Sequence, residues 1–154
     1  MTSLIVVNLH GLINTPSGPR KTLIELGIGK RFAATVVSDD PTTMGALELC
    51  KEYVAWSTID AELLASLLKT RGKVSNAKPL DAEKLKELGA KDHAELASKM
   101  IKDGTRLSSL EGVKPFFGLS PPRGGFKRSS RRQFRQGGVL GKNPKLPDIL
   151  RRML

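Results

Sequence analysis

The chain has 154 residues and a formal net charge of +11, a balance that places anionic polymers first among its possible partners. Its single cysteine excludes an internal disulfide and a multi-thiolate metal site. No apolar stretch approaches the roughly 18 residues of a membrane span, and no basic residue precedes the first apolar run, so we expect a cytoplasmic protein with no membrane association and no signal peptide.

Three strands are predicted in the first 60 residues. LIVVNL (residues 4–9) is rich in β-branched side chains and precedes a loop of Gly, Pro, Asn and Ser, as a buried strand does. RFAATVVS (31–38) and VAWSTI (54–59) have the same character. Because each pair of strands is separated by a helical pattern, the sequence predicts an α/β sandwich with its helices on one face of the sheet.

Two helices are predicted between these strands. Pro19 suits the first position of the first helix, which Gly27 ends. Asp40 suits the N-cap of the second helix. Four side chains at helical spacing give that second helix an apolar face: Met44, Leu47, Cys50 and Val54.

Three further helices are predicted in the middle of the chain. The first, DAELLASLLKTR, ends at Gly72, and the second begins after Asp81. In the third, Asp92 and Glu95 have the spacing of a capping box, and Gly104 follows the last turn. The last two helices mix both signs of charge and predict a helical hairpin added to the sheet domain.

The C-terminal third carries nearly all of the excess charge. Residues 112–154 hold eleven Lys or Arg against one acid, whereas the first 111 residues hold fifteen bases and fourteen acids. VKPFF (113–117) predicts a strand weakened by its proline, and LPDILRRML (146–154) predicts a terminal helix. SPPRGGFKRSSRRQFRQGGVLG (120–141) contains six bases and no acid, and its proline and glycine pairs interrupt any regular period, which predicts a long basic loop.

These patterns divide the chain into three predicted parts. Residues 1–72 form the α/β core, residues 73–111 contain the helical hairpin, and residues 112–154 form a basic C-terminal extension with the loop and the terminal helix.

A nucleotide-binding enzyme is the first functional alternative, because Gly11–Thr22 is a glycine-bearing loop between a strand and a helix. A phosphate-binding loop needs Gly, four residues and then Gly-Lys-Ser/Thr. Here six residues separate Gly11 from Gly18, and Pro19 lacks the backbone N–H that a phosphate cradle uses. The pattern therefore fits the motif poorly.

No other set of side chains indicates catalysis. His10 and His93 are far apart in sequence and belong to no two-ligand spacing, and Cys50 lies on an apolar helix face, as a buried thiol does. We expect no catalytic residue, no metal site, no cofactor and no small-molecule substrate.

The basic segment indicates binding to nucleic acid. Between Arg123 and Arg135, arginine outnumbers lysine five to one, and the planar guanidinium suits phosphates and base edges. Phe126 and Phe134 lie among these cations, where they can stack on unpaired bases or pack against the body. Glycines there allow close approach of the backbone.

A second basic cluster brackets the first predicted helix. Two contact surfaces on one protein favour a folded RNA over a single duplex groove, and a DNA-compacting basic protein is the remaining alternative. The predicted RNA-binding residues are Arg20, Lys21, Lys30, Arg31, Arg123, Gly124, Gly125, Phe126, Lys127, Arg128, Arg131, Arg132, Arg135 and Lys142.

At these residues the sequence resembles the large-ribosomal-subunit protein L-thirty family in its archaeal form, which is called L-seven in eukaryotes. DDPTTMGALELCKEYVAWSTIDAELLASLLKTRG, with Gly45, Tyr53, Val54 and Trp56, is similar to the family's second helix, third strand and following helix. PPRGGFK followed by QGGVLG is similar to its long C-terminal loop, and ILRRML to its terminal helix. The resemblance covers nearly the whole chain.

The resemblance implies a fold, a set of partners and a role. The fold is a small ferredoxin-like α/β domain, carrying the helical hairpin and the long basic loop as additions. The implied partners are 23S rRNA, 5S rRNA and neighbouring large-subunit proteins. The implied role is structural, in subunit assembly and translation, without catalysis.

Overall fold

The computed structural model describes residues 2–74 and 78–154. The first half of the described chain alternates strands and helices: β1 (Ser3–Asn8), α1 (Ser17–Glu25), β2 (Ala33–Ser38), α2 (Pro41–Leu49), β3 (Val54–Thr58) and α3 (Ala61–Arg71). The second half contains α4 (Ala82–Glu87), α5 (His93–Asp103), β4 (Phe117–Gly118), β5 (Ser129–Gln133), β6 (Gly138–Lys142) and α6 (Leu146–Met153). Short 3₁₀ turns lie at Leu107–Ser109 and Phe134–Gln136. Among the described residues, no helix combines the length and apolarity needed to cross a membrane.

One six-stranded sheet, in the order β4-β2-β1-β3-β6-β5, organises the chain. The central strand β1 runs antiparallel to β2 and β3, with Ile5 opposite Val36 and Ser57. On one side β4 joins β2 in antiparallel pairing. On the other side β6 pairs in parallel with β3, Ala55 opposite Gly141, and β5 flanks β6 with an irregular register. The sheet therefore incorporates strands from the C-terminal third.

Two hydrophobic cores lie on opposite faces of the sheet. Successive side chains of a strand point to opposite faces, so Ile5 and Val7 join the core formed with α3, α5 and α6. Leu4 and Val6 join the second core, formed with α1 and α2. The predicted α/β sandwich is confirmed, and the two helices between its first three strands, α1 and α2, share one face as expected, while α3, α5 and α6 cover the other. Since β1 is apolar at every position from 4 to 7, both of its faces need cover.

The predicted helix boundaries in the middle of the chain are confirmed. Asp81 caps α4 by accepting a hydrogen bond from the Lys84 N–H at 3.1 Å. Asp92 caps α5 by accepting from the Glu95 N–H at 2.8 Å. The Glu95 carboxylate accepts in return from the N–H of Lys91, one residue earlier than in a standard capping box.

At the other end of the chain, α1 begins at Ser17, two residues before the predicted Pro19. Cys50 is buried as expected. Its thiol donates to the carbonyl oxygen of Pro19 at 3.6 Å, and burial raises its pKa.

Asp40 occupies the N-cap position of α2 but does not cap the helix with its side chain. Its carboxylate instead accepts hydrogen bonds from the Ser38 hydroxyl and, at 3.1 Å, from Arg106 Nη2. Arg106 also donates to Thr43 Oγ1 at 2.9 Å. Asp40 therefore forms a tertiary contact in place of a cap, and this contact connects the segment after α5 to the start of α2.

This contact predicts a titration behaviour. The hydrogen bond from Ser38, followed by that from Arg106, lowers the pKa of Asp40 below its ordinary value. Because the folded-state pKa is the lower one, the contribution to stability is complete at neutral pH and is lost as pH falls through that pKa. We expect Arg106→Ala to raise the pKa of Asp40, measured by carboxyl NMR titration. Lys102→Ala, which removes an exposed cation of α5, is the control and should leave this pKa unchanged. Equal values in wild type and Arg106→Ala would contradict the assigned cause.

The basic segment is only partly a loop. Residues 120–128 lack regular strands and helices, as predicted, but the rest of the segment contains β5 and β6. Val139 and Leu140 are buried in the core beneath β6. The expectation that glycines interrupt any strand is wrong there, because pairing with β3 satisfies the backbone and burial of two apolar side chains favours the sheet.

Candidate nucleic-acid interface

Every predicted RNA-contact residue except Phe126 is exposed. Arg20 and Lys21 lie on α1, and Lys30 and Arg31 lie in the turn before β2. The others follow the chain from β4 to the end of β6: Arg123, Gly124, Gly125, Phe126, Lys127 and Arg128 in the loop, Arg131 and Arg132 on β5, Arg135 in the 3₁₀ turn, and Lys142 at the last position of β6.

One cavity brings members of the two basic clusters together. Its volume is about 690 Å³, and Arg31 and Arg131 both line it. The rings of His10 and Tyr53 form part of the same wall, with their centroids 5.2 Å apart. Among the described residues that line the cavity, Glu52 is the one acid. The sequence did not place these two rings at the interface, since only the pairing of β6 with β3 brings β5 close to the second basic cluster, at Arg31.

The loop PPRGGFK is attached to the terminal helix by Arg152. Nη1 of Arg152 donates to the carbonyl oxygens of Arg123 and Gly125 at 3.1 and 2.7 Å. The N–H of Arg123 donates back to the carbonyl oxygen of Arg152 at 3.1 Å. Gly124 and Gly125 both have positive φ, near 75°, which side chains strongly disfavour. The loop therefore has a defined shape, and its glycines are required by that shape.

Phe126 packs against the body of the protein. Its ring is stacked on Phe32 with a centroid separation of 6.2 Å and an interplanar angle of 28°. It is half-buried beside the core that α3, α5 and α6 cover. In the structure this side chain therefore packs against the body, one of the two roles expected from the sequence.

Phe134 lies in a more cationic setting. The guanidinium of Arg128 lies 4.8 Å from the centroid of its ring, a cation–π arrangement. A cavity of about 370 Å³ beside this pair is also lined by Lys127, Lys145 and Arg152. Asp148 lies at the same cavity and forms an ion pair with Arg151 at 3.5 Å. Lys145 and Arg152 are not among the contact residues predicted from the sequence, because their place beside the loop depends on the docking of α6.

Comparison with known proteins identifies the family. The family described as Ribosomal protein L30p/L7e matches residues 4–54. The large ribosomal subunit protein uL30 of Nitrosopumilus maritimus (strain SCM1) is 36% identical over 152 residues, which cover 99% of this chain and 98% of the relative. The uL30 of Cenarchaeum symbiosum (strain A) is 37% identical over 150 residues, 97% of each. This chain belongs to the ribosomal protein L30p/L7e family.

Membership of the L30p/L7e family confirms the resemblance found in the sequence. A third relative, the uL30 of Aeropyrum pernix, is 38% identical over 142 residues and 88% of each chain. Because this is a family of structural ribosomal proteins, the prediction of a non-enzymatic protein is confirmed as well.

The start of Gly11–Thr22 is bound to the last residue of β1, Asn8. The side-chain oxygen of Asn8 accepts from the backbone N–H groups of His10 and Gly11 at 3.0 and 2.9 Å. Within the loop, the N–H of Gly11 is therefore already bound. Across residues 2–74 and 78–154, no three His, Cys, Asp or Glu side chains converge in a way that could hold a metal ion.

Proposed function

We propose that this protein is a structural constituent of the large ribosomal subunit, in the cytoplasm, where it binds 23S rRNA close to 5S rRNA and beside other large-subunit proteins. In that position it supports subunit assembly and translation. The names of its relatives support the assignment to the large ribosomal subunit. The observation that carries the RNA-binding role is the charge of residues 112–154, eleven bases against one acid, with the arginines of the basic segment exposed.

The proposed interface has two parts that act together. Arg131 and Arg132 are successive residues of β5, so their side chains leave opposite faces of an edge strand and reach separate phosphates. Arg31 contributes from across the 690 Å³ cavity. Because Arg131 and Arg132 belong to a strand of the sheet, their charges have a fixed spacing. This spacing suits a folded RNA whose phosphates converge from several strands.

Salt dependence tests the electrostatic basis of this proposal. If about six basic groups each neutralise one phosphate, the logarithm of the binding constant should fall with the logarithm of salt concentration at a slope of about −5. Affinity for large-subunit rRNA, measured by filter binding, is then expected to fall about a thousandfold between 50 and 200 mM salt. Affinity that stays flat across this range would contradict the proposal.

Co-sedimentation tests the cellular location and separates the alternatives. The protein is expected to sediment with large ribosomal subunits in a high-magnesium extract and to leave them in high salt. Preference for duplex DNA over rRNA of equal length would instead indicate the DNA-compacting protein. Binding of a nucleoside triphosphate that is lost in Lys21→Ala would indicate the nucleotide-binding enzyme.

A further inference from the structure

Two cavities of about 170 and 560 Å³ share a wall on the sheet face that α1 and α2 cover. The helices lie over the β1–β3 side of this face, and the 3₁₀ turn with Phe134 lies near β6. The larger cavity falls within the size range of small-ligand sites. The residues common to both walls are Met44, Trp56, Phe134, Arg135 and Lys142.

Trp56 carries an unsatisfied hydrogen-bond donor at this wall. The residue is 2% exposed, and among the described residues its indole N–H has no acceptor. Its backbone, in contrast, is used: the carbonyl oxygen accepts from the N–H of Asn143 at 3.0 Å. Buried indole N–H groups normally have a partner. The nitrogen is itself buried, so an acceptor reaches it from the cavities only if the wall shifts.

The other residues of the wall indicate the chemistry of the molecule that supplies a hydrogen-bond acceptor to Trp56. Phe134 and Met44 offer a flat aromatic and a polarisable apolar surface, while Arg135 and Lys142 are exposed cations beside them. The larger cavity adds the exposed carboxylates of Asp39 and Asp60 and the hydroxyl groups of Ser57 and Thr58. A planar group with both hydrogen-bond acceptors and donors, attached to phosphates, matches all of these features.

We infer that these two cavities receive one unstacked nucleobase of the bound RNA, whose phosphates lie on Arg135 and Lys142. The inference rests on the proposed function, since it names the chemical group that one part of the interface binds. An acceptor atom of the base takes the indole N–H of Trp56. Arg128 already lies over one face of the Phe134 ring, so the base stacks on the other face, as unpaired bases do on aromatic side chains.

The protein provides its own reporter, because Trp56 is its only tryptophan. The probes are a single-stranded RNA hexamer of adenosine and an abasic hexamer with the same number of phosphates. We expect the adenosine hexamer to change the emission of Trp56 at saturation and to bind about tenfold more tightly than the abasic hexamer. Equal affinities, or Trp56 emission that is unchanged at saturation, would overturn the inference.

Two phenylalanine variants test whether base binding depends on the ring in the cavity wall or on any phenylalanine of the protein. Phe134→Leu keeps an apolar side chain and should bring the affinity ratio of the two hexamers close to one. Phe116→Leu changes a half-buried phenylalanine that lines neither cavity, and should keep the ratio near ten. A ratio near ten in Phe134→Leu would contradict stacking on this ring.

A second pair of variants tests the contact between Arg135 and the RNA phosphates. Arg135→Ala should weaken binding of both hexamers more than Arg132→Ala, which removes the same charge from a residue outside these two walls. Equal weakening by the two variants would exclude a phosphate position at Arg135.

The outcomes distinguish this inference from the proposed function. Equal affinity for the two hexamers, together with the expected salt slope on large-subunit rRNA, overturns the nucleobase site alone. Absence of rRNA binding overturns both.

Discussion

We expect affinity for large-subunit rRNA at 150 mM salt to fall by at least about a hundredfold when four exposed arginines are replaced together by glutamine. The four are Arg128, Arg131, Arg132 and Arg135. Each charge that no longer meets a phosphate reduces the counterion release on binding. The slope of log affinity against log salt should therefore become less negative by about 3, measured by filter binding over a salt series.

A matched set of four lysines provides the control. These exposed residues lie on and around α4 and α5: Lys78, Lys86, Lys91 and Lys102. Their joint replacement by glutamine removes the same charge from the protein, so it tests whether binding depends on total charge or on position. We expect a loss below about threefold and an almost unchanged salt slope. Equal losses from the two quadruple variants would mean that the contact surface lies elsewhere.

Leu150→Ala is expected to lower the free energy of unfolding by about 2–5 kcal/mol. Leu150 lies on α6 and is 0% exposed, within the core that α3 and α5 also cover. Its truncation removes apolar contacts and leaves a cavity that the surrounding side chains fill only in part. Denaturant titration followed by far-UV circular dichroism measures the effect.

Leu49→Ala is the control for Leu150→Ala, because it makes the same chemical change at a side chain that is 56% exposed. Its effect should stay within about 0.5 kcal/mol. If the two variants unfold at the same denaturant concentration, α6 is not part of the cooperative core, and the docked position of the terminal helix would be contradicted.

Local patterns in the sequence predicted the elements whose formation depends on near neighbours. The caps at Asp81 and Asp92 are made within three residues, so their sequence spacing was sufficient to locate α4 and α5. Burial of Cys50 followed in the same way from helical spacing. The excess charge of residues 112–154 also needs no fold, since it is a property of composition. The three-part division of the chain and the roles of the RNA-contact residues stay predictions.

Features that depend on distant partners could not be predicted. Asp40 resembles an N-cap in sequence, but Arg106, 66 positions away, binds its carboxylate. The strand at Gly138–Lys142 lies in a glycine-rich basic segment, and it forms because β3 offers a free edge and the core accepts Val139 and Leu140. No local window contains the partner in either case, so local propensity gave the wrong answer.

The amino-acid sequence by itself determined the family, the α/β class and the concentration of positive charge in the C-terminal third. These properties follow from composition and short-range spacing, which do not depend on how the helices and strands are arranged in space. The tertiary structure decided which basic residues lie together: Arg31 and Arg131 line one cavity, and Arg152 binds the loop at Gly125. It also placed Trp56 and Phe134 on one wall. Such contacts join residues more than 25 positions apart, and only the packing of both sheet faces brings them within reach of each other.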